Sequence, residues 1–372
     1  MPTTARSAPS AGPSPAPGAG TRPGPDHTPR DHDRPDVLTL EEVLARDPGD
    51  VRVLTGDRPT GPLHVGHLFG TLAMRVALQR HGAETFVVVA DYQVITDRDD
   101  AGDLPATVRE VVLDQLAAGL DPETTTVFVH SGVPAVHQLM LPFLSLVSVA
   151  ELDRNPTVKA ELAASGRGLS ALLLTYPVHQ AADILSVRGT LVPVGRDQLP
   201  HLELTRTIVR RFNRRYGPVL TEPSALLSQA PLVLGTDGAK MSKSRGNAIE
   251  LRADADATAA AVRGARTDTE RTLTYEPARR PAVANLLLLG ALASGRTPQD
   301  LADEIADGGA AALKAYVTDA LVAHLAPLRG RRAELARDPY VVRDVLARGA
   351  ARAAQEADAT LADVRRAMRQ TS

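Results

Sequence analysis

Two histidines three residues apart, His64 and His67, flank Gly66 in the run Thr55-Gly-Asp-Arg-Pro-Thr-Gly-Pro-Leu-His-Val-Gly-His67. On a helix, residues at this spacing share a face. A helix amino terminus offers unsatisfied N–H groups and a partial positive charge, which suit a phosphate. Gly66 has no side chain, so a flat base could pack on the backbone beside it. The plainer reading is a helix cap with two surface histidines. Placement directly after an apolar strand favours ligand contact, because doubly wound sheets bind ligands beyond the carboxyl ends of strands near the first crossover.

A second run is Gly235-Thr-Asp-Gly-Ala-Lys-Met-Ser-Lys-Ser-Arg-Gly-Asn247. Within it Lys240, Ser242, Lys243 and Ser244 bring two ammonium groups and two hydroxyls together in a glycine-flanked loop. That set suits a polyphosphate whose charge shifts during reaction; a solvated basic turn is the alternative. The chain has only four lysines, Lys159, Lys240, Lys243 and Lys314, and arginine supplies the rest of its positive charge. A retained lysine is a compact, mobile cation where arginine would be a rigid fork.

The positioning elements follow from hydrophobic period. Val51–Thr55 and Thr85–Ala90 read as strands, with a helical pattern from Val65 to about Arg80 between them. The second strand is apolar without alternation, as for a strand covered on both faces. A helix at 107–119, a strand at 126–130, helical stretches at 134–149 and 170–186, a strand at Leu191–Val194, a helix at 197–214 and a final strand at 231–235 continue the order. Thr39 and Glu42 have capping-box spacing for a short helix near residue 40. The expected fold class is α/β: a Rossmann-like parallel sheet over 37–252, followed by a helical C-terminal domain over 253–372 rich in Ala, Arg and Leu. Residues 1–36 hold nine of the 28 prolines and almost nothing apolar, so they are expected to be a disordered tail.

Composition removes other classes. With no cysteine there is no disulfide framework and no thiolate metal site. The apolar run at 139–149 is too short for a bilayer, and the amino terminus lacks a signal-peptide layout. A net charge of -2 argues against a histone-like polyanion binder. A soluble cytoplasmic protein with no membrane partner is expected.

In this order, the two runs resemble the HIGH and KMSKS signatures of the class I aminoacyl-tRNA synthetases. Tyr176-Pro-Val-His-Gln-Ala-Ala-Asp-Ile-Leu185 and Val192-Pro-Val-Gly-Arg-Asp-Gln-Leu-Pro-His-Leu-Glu-Leu-Thr-Arg206 are similar to segments of the tryptophanyl-tRNA synthetases. The resemblance implies that Asp183 accepts the indole N–H, that Gln198, Tyr176 and Gln180 complete the amino-acid site, and that L-tryptophan and tRNA(Trp) are substrates. It further implies ATP with Mg²⁺, bound by Arg58, Pro59, Thr60, Gly66, His67, Gly195, Arg196, Asp197, Lys240, Met241, Ser242, Lys243 and Ser244. His64, His67, Lys240 and Lys243 would act on the phosphates, with Lys243 foremost. A homodimer through the α/β domain is also implied. Chemistry agrees at Asp183: between Ala181-Ala182 and Ile184-Leu185 a bare carboxylate needs a donor, and an indole nitrogen only donates. Pairing with a nearby arginine is the alternative.

Three positions depart from the common bacterial pattern: Arg58 replaces a glutamine, Gln93 a histidine and Gln180 an apolar residue. They suggest a divergent subtype, tolerant of tryptophan-mimicking inhibitors. The competing readings are a tyrosine–tRNA ligase, an HxGH-type nucleotidylyltransferase, and a non-catalytic RNA-binding relative. In the C-terminal part Arg263, Arg266, Arg271, Arg329, Arg331 and Arg332 would meet tRNA phosphates or simply face solvent.

Overall fold

The computed structural model describes residues 37–96, 100–166, 168–227, 233–241 and 245–370. The tail at 1–36 and the loop residues Ser242, Lys243 and Ser244 lie outside the described residues.

Strands β1 (Val37–Leu38), β2 (Arg52–Asp57), β3 (Glu84–Val89), β4 (Thr125–Val129), β5 (Leu191–Val194) and β6 (Ser224–Leu227) form one sheet in the order β1-β6-β5-β2-β3-β4. All pairs are parallel, with Leu54 beside Phe86, Val87 beside Val127 and Val53 beside Leu191. From β2 the chain steps outward through β3 to β4, then returns to the opposite side of β2 as β5. The crevice between β2 and β5 is therefore the switch point at which open α/β sheets bind ligands.

Helices follow in chain order. α1 is Leu40–Leu44, with the expected Thr39–Glu42 capping box present. α2 (Val65–His67), a π turn (Leu68–Leu72) and α3 (Ala73–His81) realise the first predicted helix. Then come α4 (Leu104–Ala117), α5 (Pro134–Leu144), α6 (Val149–Asp153), α7 (Pro156–Ser165), α8 (Ala171–Ser186) and α9 (Leu199–Tyr216). The remainder is α10 (Ala255–Gly264), α11 (Pro281–Ser294), α12 (Pro298–Ile305), α13 (Gly309–Arg337) and α14 (Val341–Ala367). Among the described residues, no helix is long and apolar enough to cross a membrane.

The last strand differs from expectation. It is Ser224–Leu227, not 231–235; residues 231–232 lie outside the described residues, and Leu234 makes only an isolated antiparallel bridge with Lys240. Its neighbours decide this: Ala225 pairs with Val192 on one side and Val37 on the other, a long-range match that no local period reveals. Val37–Leu38, which the sequence did not mark as a strand, is an edge strand.

One face of the sheet packs Phe86 and Phe128 against Phe143 of α5 and Phe212 of α9, all fully buried. Each such side chain contributes about 2–3 kcal/mol by area. α14 closes the far edge. Gly349, Ala353 and Ala357, four residues apart, form its inner face. A Cβ at Gly349 would lie 1.8 Å from the Val127 carbonyl oxygen, so only glycine lets the helix backbone touch β4. The helix thereby covers an otherwise open strand edge. α11 and α13 share a second core with Leu63, Val65, Leu68 and Leu72. The helical part therefore supports the loop after β2 directly.

Candidate active site

A cavity of about 370 Å³ opens beyond the carboxyl ends of β2, β3 and β5. Its β2 wall is Thr55, Gly56, Asp57 and Arg58. Gly56 is there because β3 crowds it: a Cβ would sit 2.5 Å from Val88. The carboxylate of Asp57 accepts from Arg75 Nη1 at 2.5 Å and from Gln115 Nε2 at 2.9 Å. Arg75 is fully buried and also donates to Thr55 Oγ1 at 3.1 Å and Gly56 O at 3.1 Å. Burial works against the charge on Asp57, but the Arg75 guanidinium outweighs it and brings the pKa down to about 2. This buried pair pins the strand end from which Arg58 reaches the cavity, its Nη1 3.4 Å from Thr96 Oγ1.

The opposite wall comes from α8 and the turn after β5. Tyr176, Gln180 and Asp183 all line the cavity. Asp183 is buried, and its Oδ1 lies 2.9 Å from Nε2 of the fully buried His130. The partner of this carboxylate is thus a histidine at the end of β4, not an arginine. The Tyr176 hydroxyl is 2.8 Å from His201 Nε2, and Asn155 Nδ2 lies 3.4 Å from His201 Nδ1. Burial pushes His201 down to about 4, so it is neutral at pH 7. Burial, then the neighbouring Glu161, raise the Tyr176 hydroxyl above its ordinary range and keep it a donor.

After β5 the chain turns at Gly195, Arg196, Asp197 and Gln198. A Cβ at Gly195 would meet Asp197 Oδ1 at 2.5 Å, so a larger residue there would displace that carboxylate. Gln198 Nε2 donates to Asp197 Oδ2 at 3.2 Å, and Thr157 Oγ1 fixes the Asp197 carbonyl at 2.7 Å. Gly195, Asp197 and Gln198 face the cavity, together with Lys240 from the other side.

Lys240 is positioned by a stem. Asn285 on α11 brackets the backbone of Leu234, accepting its N–H at 2.8 Å and donating to its carbonyl at 3.1 Å. Buried Asn247 donates to Asp237 Oδ1 at 2.7 Å and to the Lys240 carbonyl at 3.2 Å. The chain then runs back beside the histidine run, with His64 and Glu250 in an antiparallel bridge.

Of the sequence-predicted residues, Arg58, Tyr176, Gln180, Asp183, Gly195, Asp197, Gln198 and Lys240 share this one cavity. His64, His67, Pro59, Thr60, Gly66, Arg196 and Met241 are not among its lining residues. The His64 N–H donates to His67 Nδ1 at 3.2 Å, and the two rings lie 3.8 Å apart. The space over Gly66 holds the His64 ring, 3.0 Å from where a Cβ would be, and the Met241 sulfur at 3.7 Å. Gly66 therefore accommodates a histidine in this structure. Ser242, Lys243 and Ser244 lie outside the described residues.

The sequence matches the family described as tRNA synthetases class I (W and Y) over residues 46–326. It is 42% identical over 330 residues to the tryptophan–tRNA ligase of Treponema pallidum (strain Nichols), spanning 86% of this chain and 96% of that protein. The chain belongs to the tryptophanyl-tRNA synthetases. The crystal structure of the tryptophanyl-tRNA synthetase from Campylobacter jejuni, complexed with ADP and tryptophan, aligns with a TM-score of 0.73 at 27% identity, covering 85% of this chain and 99% of that one. The tyrosyl-tRNA synthetase of Archaeoglobus fulgidus, at 21% identity and a TM-score of 0.62 over 76% of this chain and 90% of that one, shares the fold. Membership of the tryptophan family removes the tyrosine and nucleotidylyltransferase readings.

Sequence reasoning missed the groups that hold this synthetase site in place. Arg75 and Gln115 sit inside helical patterns, and nothing local marks them as partners of Asp57. Asn247 and Asn285 carry no motif, although an asparagine just past the lysine loop was available as a signal. His130 closes a predicted strand, and its meeting with Asp183 needs the tertiary fold. The C-terminal arginines divide. Arg332 pairs with the fully buried Asp114 at 2.7 Å and with Glu110. Arg329 donates to the Ala253 and Val322 carbonyls at 3.2 and 2.8 Å. These two hold the protein together, which corrects their assignment to tRNA phosphates. Arg263, Arg266, Arg271 and Arg331 are exposed.

Proposed function

We propose that this cavity activates L-tryptophan with ATP and passes it to tRNA(Trp). The observation that carries the reading is the gathering of Asp183, Tyr176, Gln180 and Gln198 in the same cavity as Arg58 and Lys240. An acceptor for an indole N–H thus faces the same space as two cations suited to phosphates. In the first step a carboxylate oxygen of tryptophan forms a bond to the α-phosphorus, and the bond from that phosphorus to the bridging oxygen breaks as pyrophosphate leaves. In the second, a terminal hydroxyl of the tRNA attacks the adenylate carbonyl and releases AMP. No general base is required at the first step, because a carboxylate is ionised at pH 7. Rate would come from positioning and from charge stabilisation.

Asp183 is assigned to the indole nitrogen, with Tyr176, Gln180 and Gln198 around the amino acid. Gly195, Arg196 and Asp197 are assigned to the nucleotide, together with Arg58, Pro59, Thr60 and Gly66. Lys240 and Lys243, with Met241, Ser242 and Ser244 shaping their loop, are assigned to the β- and γ-phosphates, and His64 and His67 to the same end. Mg²⁺ is assigned as part of the substrate MgATP. Among the described residues, the only cluster with metal-ligand spacing is His130, His179 and Asp183, at the tryptophan end. Residues 37–252 would carry the chemistry and 253–372 the anticodon side of the tRNA, with Arg263, Arg266 and Arg331 available to phosphates. A homodimer would cover the exposed Leu141 and Val149, which are 73% and 70% accessible. The reading puts the protein in the cytoplasm.

Binding is the direct test of the amino-acid assignment. The chain contains no tryptophan, so ligand indole is the only indole fluorophore present. Tryptophan fluorescence should shift and saturate at one ligand per chain, and Asp183→Asn should weaken the binding by at least about tenfold. Equal binding by that variant would remove Asp183 from the indole site.

A further inference from the structure

Asp183 does not meet the cavity alone. Three buried or half-buried histidines stand behind it, and the activity described above uses none of them. His130 Nε2 lies 2.9 Å from Asp183 Oδ1 as a charge contact, its N–H not aligned on that oxygen. His137 Nε2 lies 3.1 Å from the carbonyl of His130, and His137 Nδ1 lies 2.9 Å from His179 Nε2. A carbonyl only accepts, so Nε2 is the protonated nitrogen of His137. A neutral His137 then accepts at Nδ1 from the Nε2–H of His179. His179 precedes Asp183 by one helical turn on α8. The charges divide accordingly. Burial opposes protonation of His130, but Asp183 and then Asp91 raise its pKa above the ordinary value. Burial lowers His137 and His179, and repulsion from His130 adds to it in both. Protonation is therefore favoured at His130 and disfavoured at the two rings beside it, with Asp183 and Asp91 the carboxylates nearby.

We propose that His130 is a positioning residue for substrate selection: it holds Asp183 Oδ1 so that the other carboxylate oxygen is presented to the indole N–H. This rests on the reading of Asp183 as the indole acceptor. A preorganised acceptor discriminates an N–H from its absence, whereas a carboxylate free to turn discriminates less. His130, His179 and Asp183 also have ligand spacing for a cation. The engagement of His179 Nε2 by His137 and the 2.9 Å charge contact of His130 with Asp183 favour the ion pair over a bound cation.

The test compares tryptophan with its benzothiophene analogue, in which sulfur replaces the N–H, in ATP–pyrophosphate exchange. His130→Leu should lose about tenfold of the wild-type preference for tryptophan, the scale of one interaction with a charged group. The loss should appear in the tryptophan KM, with kcat and the KM for the analogue nearly unchanged. His130→Gln, a donor without charge, should fall between wild type and His130→Leu. An unchanged preference in His130→Leu overturns the proposal. So does one equivalent of metal that remains on the dialysed wild-type protein and is lost from the variant. Asp183→Asn separates the two claims. If it keeps the preference, the indole reading fails; if it loses the preference while His130→Leu does not, only the role of His130 fails. Should His130→Leu not fold, ¹⁵N spectra of histidine-labelled wild-type protein decide. His130 should titrate above the ordinary histidine value, and a His130 that titrates below it overturns the proposal.

Discussion

The N–H of Val65 donates to the carbonyl of Ile249 at 3.0 Å, inside the histidine run on one side and just beyond the lysine loop on the other. Leu251 returns the bond to the Leu63 carbonyl at 3.0 Å. The two motifs, far apart in sequence, are thereby one piece of backbone. Leu63 is held in turn by Asp114 through its N–H at 2.8 Å, and Asp114 by Arg332 of α13. A displacement of the helical part would reach both motifs.

The stem of the lysine loop gives the first prediction. A Cβ at Gly235 would lie 2.3 Å from Asn247 Nδ2, the atom that fixes Asp237 and the Lys240 carbonyl. Gly235→Ala should destabilise the protein by about 1–3 kcal/mol, the usual scale of forced overpacking. It should also lower kcat for pyrophosphate exchange by about tenfold through misplaced lysines, with tryptophan affinity retained. Chemical denaturation and exchange kinetics check both.

Lys240 faces the cavity and is exposed. Lys240→Ala should reduce exchange by about a hundredfold, the scale for removing one preorganised charge donor, while indole fluorescence reports unchanged tryptophan binding. Lys243→Arg should keep charge yet slow adenylate formation, because a rigid fork does not replace a mobile point charge. Wild-type rates in both variants would leave the loop without a role.

Asp57 sets an acid-side dependence. Its pKa falls from 3.8 to about 2 in the folded protein, so its stabilising effect is complete above about 4 and is lost as pH falls towards 2. Asp57→Asn leaves the buried Arg75 uncompensated and should cost about 3–5 kcal/mol at pH 7. That difference should shrink across the same window in denaturant titrations at several pH values.

His201 acts at higher pH. Burial lowers it from 6.5 to about 4, against an opposing pull from Asp197, so the unfolded chain binds the extra proton between those values. Stability should therefore fall as pH drops from about 6.5 to 4, with His201 contributing about 3 kcal/mol to the total change over that window. His201→Gln should flatten that part of the profile. His137 and His179 act in the same direction, and His130 in the opposite one.

The arginines of the helical part make separable predictions. Arg331→Ala should reduce the salt dependence of tRNA binding by about one phosphate contact without changing stability. Arg332→Ala strands the buried Asp114 and should destabilise by about 3–5 kcal/mol. Filter binding across a salt series and thermal unfolding distinguish the two.

Much of the fold was legible because period and length carry it. Val51–Thr55, Thr85–Ala90 and Leu191–Val194 are short apolar runs between helical patterns, and each is a strand to within a residue or two. The strand at Ser224–Leu227 was not legible, since it is a strand only by pairing with β1 and β5. At the site, residues that touch the cavity stood in motifs, because ligand chemistry restricts residue type and spacing together. Residues that hold them did not. Arg75, Asn247, Asn285 and His130 owe their roles to partners distant in sequence, and helix or strand period is blind to that.

Amino-acid-dependent ATP–pyrophosphate exchange, run with each of the twenty amino acids, tests the central claim most directly. Tryptophan should support exchange, and tyrosine and phenylalanine should fall below it by about a hundredfold or more, as for a pocket built around one buried acceptor. Exchange with tyrosine alone, or with no amino acid, would contradict the account.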